Sequence, residues 1–422
     1  MLHKNGKQLV WVLMLGVTVV GSNSLALSPI LNTVGADLGA SPVEVARANA
    51  AYGAATALSA LWLGHLVDRW GAKTALIAGL LALAAAMLAS AAALHWAALT
   101  AAQALAGTAA GIVLPATYAL ATETAPEGRG AENLGRVLTG WSVSLVVGVP
   151  LSAVVADSVS WRVSYATLVA PLLLSAWLVS RQALPARTAA TPLERGYRVV
   201  LRRPAVRSLL SVCLLFMTAF YGMYAYIGDQ ARQVHGLSAA EAGIIVLAYG
   251  AGFGVAAFGD RLIDRFGADR LFPRVLSGVA LIYAAFLPAM ATYSTLLALA
   301  AAWGVANHFG LNILVLRLSE ASPNGRGAVL ALNSAVTYLG ASLGAGLFGL
   351  LYQHAGFPAL ATAASALSAL AALVAHGGVR AVVGGRSPLR ATPPLPRGQH
   401  VDEDTGLGGV EAGGWEDRVD AS

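Results

Sequence analysis

The sequence predicts an all-α membrane protein of twelve transmembrane helices in two pseudo-symmetric six-helix halves. Three observations predict it: a composition rich in apolar and poor in charged residues, twelve apolar runs of membrane-crossing length, and a loop pattern that returns after about 196 residues. Of 422 residues, 57% are hydrophobic and 11% charged, against roughly 45–50% and about 25% in soluble domains. So much aliphatic surface needs a bilayer as its solvent. The net charge of +6 is carried by short basic clusters between apolar runs. They form no continuous stripe, which excludes a nucleic-acid partner. Cys213 is the single cysteine, so an intramolecular disulfide and a cysteine metal site are both excluded, and no cofactor is expected.

A helix crossing about 30 Å of hydrocarbon at about 1.5 Å per residue needs roughly 20 residues. The first run, 9–34, follows Lys4 and Lys7 as a secretory signal would, but no small-residue cleavage site closes it and eleven runs follow. It is therefore read as a helix. The runs 44–66, 74–95, 97–122, 133–157 and 163–183 complete a first half, residues 1–183. The runs 205–228, 240–262, 271–291, 294–318, 327–352 and 357–383 make a second, residues 205–383. Between them, 184–204 reads as a cytoplasmic linker with Arg187, Arg195, Arg198, Arg202 and Arg203. Residues 384–422 turn rich in Gly, Pro and acids (Asp402, Glu403, Asp404, Glu411) and are predicted to be a disordered cytoplasmic tail.

Lys and Arg set the orientation, because cytoplasmic loops carry their excess. With the amino terminus inside, 24 of the 27 basic residues fall in cytoplasmic segments, leaving only Arg47, Arg162 and Arg232 outside. Both termini are thus predicted to be cytoplasmic. Arg outnumbers Lys by 24 to three (Lys4, Lys7, Lys73) in an Ala-rich chain, which reads as GC-biased codons and a bacterial inner membrane.

The repeat is explicit. Gly64-His65-Leu66-Val67-Asp68-Arg69-Trp70-Gly71 follows the second run, and Asp260-Arg261-Leu262-Ile263-Asp264-Arg265-Phe266-Gly267 follows the eighth, 196 residues on. Gly128-Arg129-Gly130-Ala131 is answered by Gly325-Arg326-Gly327-Ala328, 197 residues on. The chain reads as a duplicated six-helix unit.

The run Gly64-x-Leu66-x-Asp68-Arg69-x-Gly71-x-Lys73 resembles the loop signature between the second and third helices of the major facilitator superfamily, and the resemblance covers about residues 9–383. It implies a substrate site near the midplane between parallel halves that rock to give alternating access. It further implies that Asp68 faces the start of the eleventh helix near Arg326 and Asp264 the start of the fifth. Gly64, Asp68, Arg69, Gly71, Lys73, Asp264, Arg265 and Gly267 would then lock the cytoplasmic side when the outer side is open. A solvated turn that only enforces topology is the alternative.

In the fifth run, Gly140, Ser144, Gly148 and Ser152 make a four-residue stripe of small side chains that lets another helix approach closely. Gly148-Val149-Pro150-Leu151, followed by Ser160-Trp161-Arg162, is similar to the antiporter motif of twelve-helix drug:proton antiporters of the arabinose-efflux and chloramphenicol-exporter type, with Ser152 where that type commonly has Gly. Gly140, Gly148 and Pro150 carry the likeness; a bend in a packing helix is the alternative. Gln103, Gly107, Gly111 and Pro115 resemble the superfamily's fourth-helix motif. Gln103, however, stands where a membrane-embedded Arg is often found, and an amide does not manage a proton as Arg does.

The resemblance also implies that helices one, four, seven and ten line the cavity. Polar and aromatic residues recur there at helical spacing: Asn23, Ser24, Ser28 and Asn32 on the first, Gln103 on the fourth, Phe216, Phe220, Tyr221 and Tyr224 on the seventh, and Gly304, His308 and Asn312 on the tenth. Asn23, Ser28, Asn32, Gln103, Phe220, Tyr221, Tyr224, His308 and Asn312 form the expected binding set, suited to a neutral or weakly charged organic molecule. Packing against neighbouring helices or lipid is the alternative for the aromatics. No acid lies near the centre of a lining helix; Asp37, Glu123, Asp157 and Asp229 fall at predicted ends. His308, with an ordinary value of about 6.5, leads the proton-coupling candidates, ahead of Glu123 and Asp229.

No Walker loop is present, and no nucleophile is placed beside a base, so neither an ATP-driven pump nor an enzyme is expected. The expected function is secondary active export of a small organic compound or drug in exchange for protons, a multidrug-resistance type of efflux. Uptake or facilitated diffusion of a small metabolite such as a sugar is one alternative, and a non-transporting receptor or scaffold of the same fold another. The expected partners are the small-molecule substrate, protons and the lipid bilayer, with no requirement for an oligomer.

Overall fold

The computed structural model describes residues 2–63, 67, 69–126, 129–182, 193–322 and 326–385. Gly64 and Asp68 of the gating motif, Gly128 and Gly325 of the repeat, and the predicted tail beyond 385 lie outside the described residues, as do the side chains of Asp264 and Arg326. The described residues up to Ala381 pack as one unit, and every contact described here belongs to it.

Among the described residues, ten runs are long and apolar enough to cross a membrane. The last of them, Ala328–Gly377, is 50 residues long, far more than one crossing requires. It is broken at Gly356, where φ is +71° and Pro358 follows. Pro42–Trp62 is a further helix of 21 residues that carries Glu44 and Arg47 near its start. The described chain thus holds twelve rods of crossing length, in accord with the sequence reading.

In chain order these are α1 (Leu2–Leu38), α2 (Pro42–Trp62), α3 (Ala72–Ala91), α4 (Trp96–Glu123), α5 (Gly130–Val143 continuing through Val149–Ser158), α6 (Trp161–Ser180), α7 (Pro204–His235), α8 (Ala239–Gly259), α9 (Ala268–Ala289), α10 (Tyr293–Ala321), α11 (326–355) and α12 (357–381). A short helix, Leu193–Leu201, lies in the predicted linker. The largest departure from the sequence reading is at α7. Its apolar run ends near Gly228, yet the helix continues to His235 and takes Asp229 inside the span.

The repeat is visible in the backbone. Gly39 (φ +62°) and Gly236 (φ +68°) end α1 and α7, and Gly71 (φ +80°) and Gly267 (φ +79°) precede α3 and α9. These are left-handed positions that favour glycine. Ser41 and Ser238 open α2 and α8 with the same capping box. In each, the backbone N–H of the serine donates to the glutamate three residues on (Glu44, Glu241) at 2.8 Å, and the glutamate N–H donates back to the serine hydroxyl at 3.2 Å, satisfying two of the helix's free donors.

Burial separates inner from outer helices. In the most apolar windows of α1 and α7, 72% and 78% of residues are buried, against 33% in α9. Leu81, Leu174, Leu281 and Leu373 of α3, α6, α9 and α12 are exposed, which suits contact with lipid. Along α1 Val19–Leu31 is an unbroken buried stretch with residues 8–18 and 32–38 partly open on either side, and along α7 Phe216–Asp229 is buried apart from Tyr221 with 204–215 and 230–235 looser. Hydrogen bonds between the two halves lie on the Leu38 and His235 side, where Arg232 donates to Pro29 O and Thr33 Oγ1 at 3.4 and 2.9 Å and the Ala239 N–H donates to Asp157 Oδ1 at 3.3 Å. These contacts close that side among the described residues.

Candidate functional site

A cavity lies where α1, α2, α7 and α11 meet. Its walls are Ser24, Asn49, Tyr52, Tyr221, Tyr224 and Tyr338, with Ala225, Ala341 and Ala345 on the sealed side. Close packing builds it. A Cβ on Gly53 would lie 2.8 Å from backbone atoms of Tyr338 and Ser342, so α2 and α11 touch at the main chain. Likewise a Cβ on Gly344 would lie 2.6 Å from Gly222 N, joining α11 to α7. The rings of Tyr52 and Tyr338 then meet edge to face with centroids 6.0 Å apart.

The hydroxyls of Ser24, Tyr52, Tyr224 and Tyr338 are buried without a hydrogen bond of good geometry among the described residues, although those of Ser24, Tyr52 and Tyr338 face one another and Tyr52 also faces Asn23 and Thr56. A buried polar group left unpaired costs about 1–3 kcal/mol. Four such groups line one space with room for about a single water molecule, so water is the guest that they accommodate in this conformation. No side chain lining the cavity is charged.

The residues expected from the sequence divide three ways. Tyr221 and Tyr224 line the cavity, and Phe220 stands behind them in an aromatic cluster with Tyr249 and Trp303 at 5.6 and 5.4 Å. Asn23 and Gln103 are instead bonded to each other, Asn23 Nδ2 donating to Gln103 Oε1 at 3.0 Å, and Gln103 Nε2 also donates to Ser90 Oγ at 3.0 Å. Both amides are buried, and they tie α1, α3 and α4 together. The Ser28 hydroxyl donates to the Tyr224 carbonyl, joining α1 to α7, and Asn32 stands beside Asp229.

His308 and Asn312 turn to α8. His308 Nε2 lies 2.9 Å from Asp260 Oδ1, and Asn312 Nδ2 donates to the same oxygen at 3.0 Å. The reason is the face they share with Gly304, where an added Cβ would lie 2.0 Å from the Tyr249 carbonyl oxygen of α8. In the first half Gly107, 197 residues earlier, meets the Tyr52 carbonyl of α2 at 2.2 Å in the same way. The stripe is a helix-packing face in both repeats.

The stripe on α5 also finds its partner. Added Cβ atoms on Gly140 and Gly148 would lie 2.6 Å from the Met14 carbonyl and 1.9 Å from Ser22 Oγ, so α5 lies directly on α1. Ser144–Gly148 forms a π-helical turn, and the Val149 N–H reaches Ser144 O, five residues back. Pro150 follows, without an N–H and with a ring that crowds the preceding turn. The other face of this segment meets α8, where an added Cβ on Gly243 would lie 2.8 Å from Ala153 Cβ. Arg162, from the end of the same motif, pairs with Asp37 and donates to the Ala93 carbonyl at 3.0 Å, while Trp161 Nε1 donates to Asp37 at 3.0 Å.

Of the gating motif, Lys73 Nζ donates to the carbonyls of Ser180 and Gln182 at 2.9 and 2.7 Å, closing the free C-terminal end of α6. Arg69 and Arg265 are exposed. Glu123 is the last residue of α4. Asp229 is 1% exposed and accepts hydrogen bonds on Oδ2 from Tyr352 OH (2.7 Å) and Gln233 Nε2 (2.8 Å).

Sequence reasoning missed Asn49, Tyr52 and Tyr338 of the cavity, and Asp260 beside His308. Asp260 left a signal: it stands where the first repeat has Gly64. Tyr52 and Tyr338 left none, being ordinary aromatics of helices not expected to line a cavity.

A family profile described as Major Facilitator Superfamily matches residues 13–323. Among curated proteins the chain is similar to YwfA of Bacillus subtilis (strain 168), described as an uncharacterized MFS-type transporter. The two are 26% identical over 369 residues, covering 86% of this chain and 90% of the relative. Among solved structures, the crystal structure of a D-xylose-proton symporter matches with a TM-score of 0.73 over 87% of this chain and 96% of that one, at 15% identity. That likeness is one of fold.

Proposed function

The chain belongs to the major facilitator superfamily, and from that premise we propose that it exports a small neutral or weakly charged organic compound in exchange for protons. As a member of that family it is a multi-pass membrane transporter and not an enzyme. The substrate site we assign to the cavity between α1, α2, α7 and α11. The observation that carries this is that four residues with buried hydroxyls lacking a hydrogen bond of good geometry, Ser24, Tyr52, Tyr224 and Tyr338, line one uncharged space. Tyrosine faces give stacking area and their hydroxyls give direction. An aromatic or alicyclic compound bearing hydroxyl or amide groups is the class that fits.

Export rests on the resemblance of Gly148-Val149-Pro150-Leu151 to the antiporter motif, supported by the packing of that segment on α1 and α8. The two halves, 1–183 and 205–383, rock about the cavity, with both termini on the cytoplasmic side of a bacterial inner membrane. In that orientation the contacts of Arg232 with Pro29 and Thr33 fall on the outer side. Two clusters are suited to carry charge changes, one at each end of the path: Asp229 in the outer seal, and His308 with Asp260 on the cytoplasmic side of the cavity.

The test is thermal unfolding of the purified protein against a panel of neutral aromatic compounds, chloramphenicol first. A ligand of the folded state raises apparent stability. At least one compound should raise the melting temperature of the wild type but not of Tyr52→Phe/Tyr338→Phe. Stabilisation only by sugars would favour the uptake alternative.

A further inference from the structure

Asp229 lies inside the span on α7, at the junction of α7 with α1 and α11. Its Oδ2 accepts two hydrogen bonds, whereas Oδ1 is buried without a hydrogen bond of good geometry among the described residues, with the Asn32 amide of α1 beside the carboxyl. Arg232, one turn further along α7, does not pair with it. Its guanidinium donates to the carbonyls of Leu237 and Pro29 and to Thr33 Oγ1, at 3.1, 3.4 and 2.9 Å. An ionisable side chain inside a membrane span is expensive unless paired, and a carboxylate so placed, with one oxygen lacking a good hydrogen bond, is poorly compensated.

The same junction leads to the cavity. Tyr352, which donates to Asp229, stacks on Tyr226 with ring centroids 5.0 Å apart. Tyr226 OH in turn donates to the Ala345 carbonyl, on the sealed side of the cavity wall, at 2.7 Å. The groups facing Asp229 are Arg232, Gln233 and Tyr226 of α7, Asn32 of α1, and Tyr352 of α11. Arg47 of α2 acts on Tyr226, and Asp157 of α5 acts on Arg232.

We propose that Asp229 is the proton-binding switch of the outer seal: protonated, it is buried as seen here and the outer side stays closed; ionised, it must reach water and the seal opens. This deepens the exchange reading above and rests on it. In the transport cycle, the outward-open protein takes its proton from the external medium at Oδ1 or Oδ2, and closure buries the neutral acid. No bond other than O–H changes.

The experiment places a cysteine at Ala345 in a Cys213→Ser background and exposes intact cells to a membrane-impermeant sulfonated maleimide at external pH from about 5 to about 9. Rates are taken relative to Leu94→Cys, on the exposed outer turn between α3 and α4, which removes the pH dependence of the reagent, and the neutral Asp229 variants carrying the same cysteine remove that of the buried thiol. The relative rate at 345 should rise at least about tenfold with pH in otherwise wild-type protein. With Asp229→Asn, or with Asp229→Thr should the amide fail to accumulate, it should stay at the low value throughout. A flat wild-type response overturns the proposal. So does a neutral variant whose labelling follows pH as the wild type does, or stays high at every pH. Because the assay reads labelling and uses no substrate, its failure is distinct from failure of proton-driven export, which vesicle transport reports.

Discussion

Tyr52 and Tyr338, from opposite ends of the sequence, meet edge to face at 6.0 Å, and their buried hydroxyls face each other and Ser24 without a hydrogen bond of good geometry. The aromatic contact holds α2 to α11, and both rings stand on the cavity wall. Tyr52→Phe and Tyr338→Phe should therefore leave the ligand-free protein as stable as the wild type, or raise it by about 1 kcal/mol, because each removes a buried group that lacks a good hydrogen bond. Each should also weaken the best-binding panel compound about tenfold, equivalent to about 1.4 kcal/mol. Melting curves with and without the compound check both halves of this prediction.

Gly148→Ala should separate α5 from α1. The new methyl would lie 1.9 Å from Ser22 Oγ, and overpacking of this kind costs about 1–3 kcal/mol. A fall of several degrees in melting temperature and a loss of transport are expected. Adding Ser22→Ala should restore part of both, since the clashing oxygen is gone. A double variant no better than the single one would place the cause elsewhere.

The fold was legible because apolar run length and basic-residue placement are local properties of the chain. The site was less so. The end of α7 was read near residue 228 because Asp229, Gln230 and Arg232 break the apolar run, yet Asp229 continues the helix buried against neighbours that supply its hydrogen bonds. The stripe Gly304, His308 and Asn312 was read as facing the cavity, but glycines at that spacing mark where another helix approaches, and α8 is there. Tyr52 and Tyr338 form one wall only after the chain has folded back on itself, a relationship with no local signature.

Lys73 and Asp68 should separate in their effects. Lys73→Met removes the donor to the Ser180 and Gln182 carbonyls and should lower stability by about 1 kcal/mol, measured as a fall in melting temperature. Asp68→Asn should leave expression and melting near wild type while transport falls sharply. Unchanged transport in Asp68→Asn would reduce the motif to a turn.

His308→Gln should abolish proton-driven accumulation and spare passive exchange. An amide still donates to Asp260 but never gains a charge, as an imidazole can. Counterflow of the best-binding panel compound, compared with its gradient-driven accumulation, reads the two activities separately. Full active accumulation by the variant would remove His308 from the coupling.

The most direct test of proton-coupled export through the tyrosine cavity is accumulation, in inside-out membrane vesicles, of the panel compound that most stabilises the wild type. An acid interior should drive accumulation several-fold above the level reached after a protonophore is added, and Tyr52→Phe/Tyr338→Phe vesicles should lose most of it. Accumulation indifferent to the proton gradient, or undiminished in the double variant, would contradict the account.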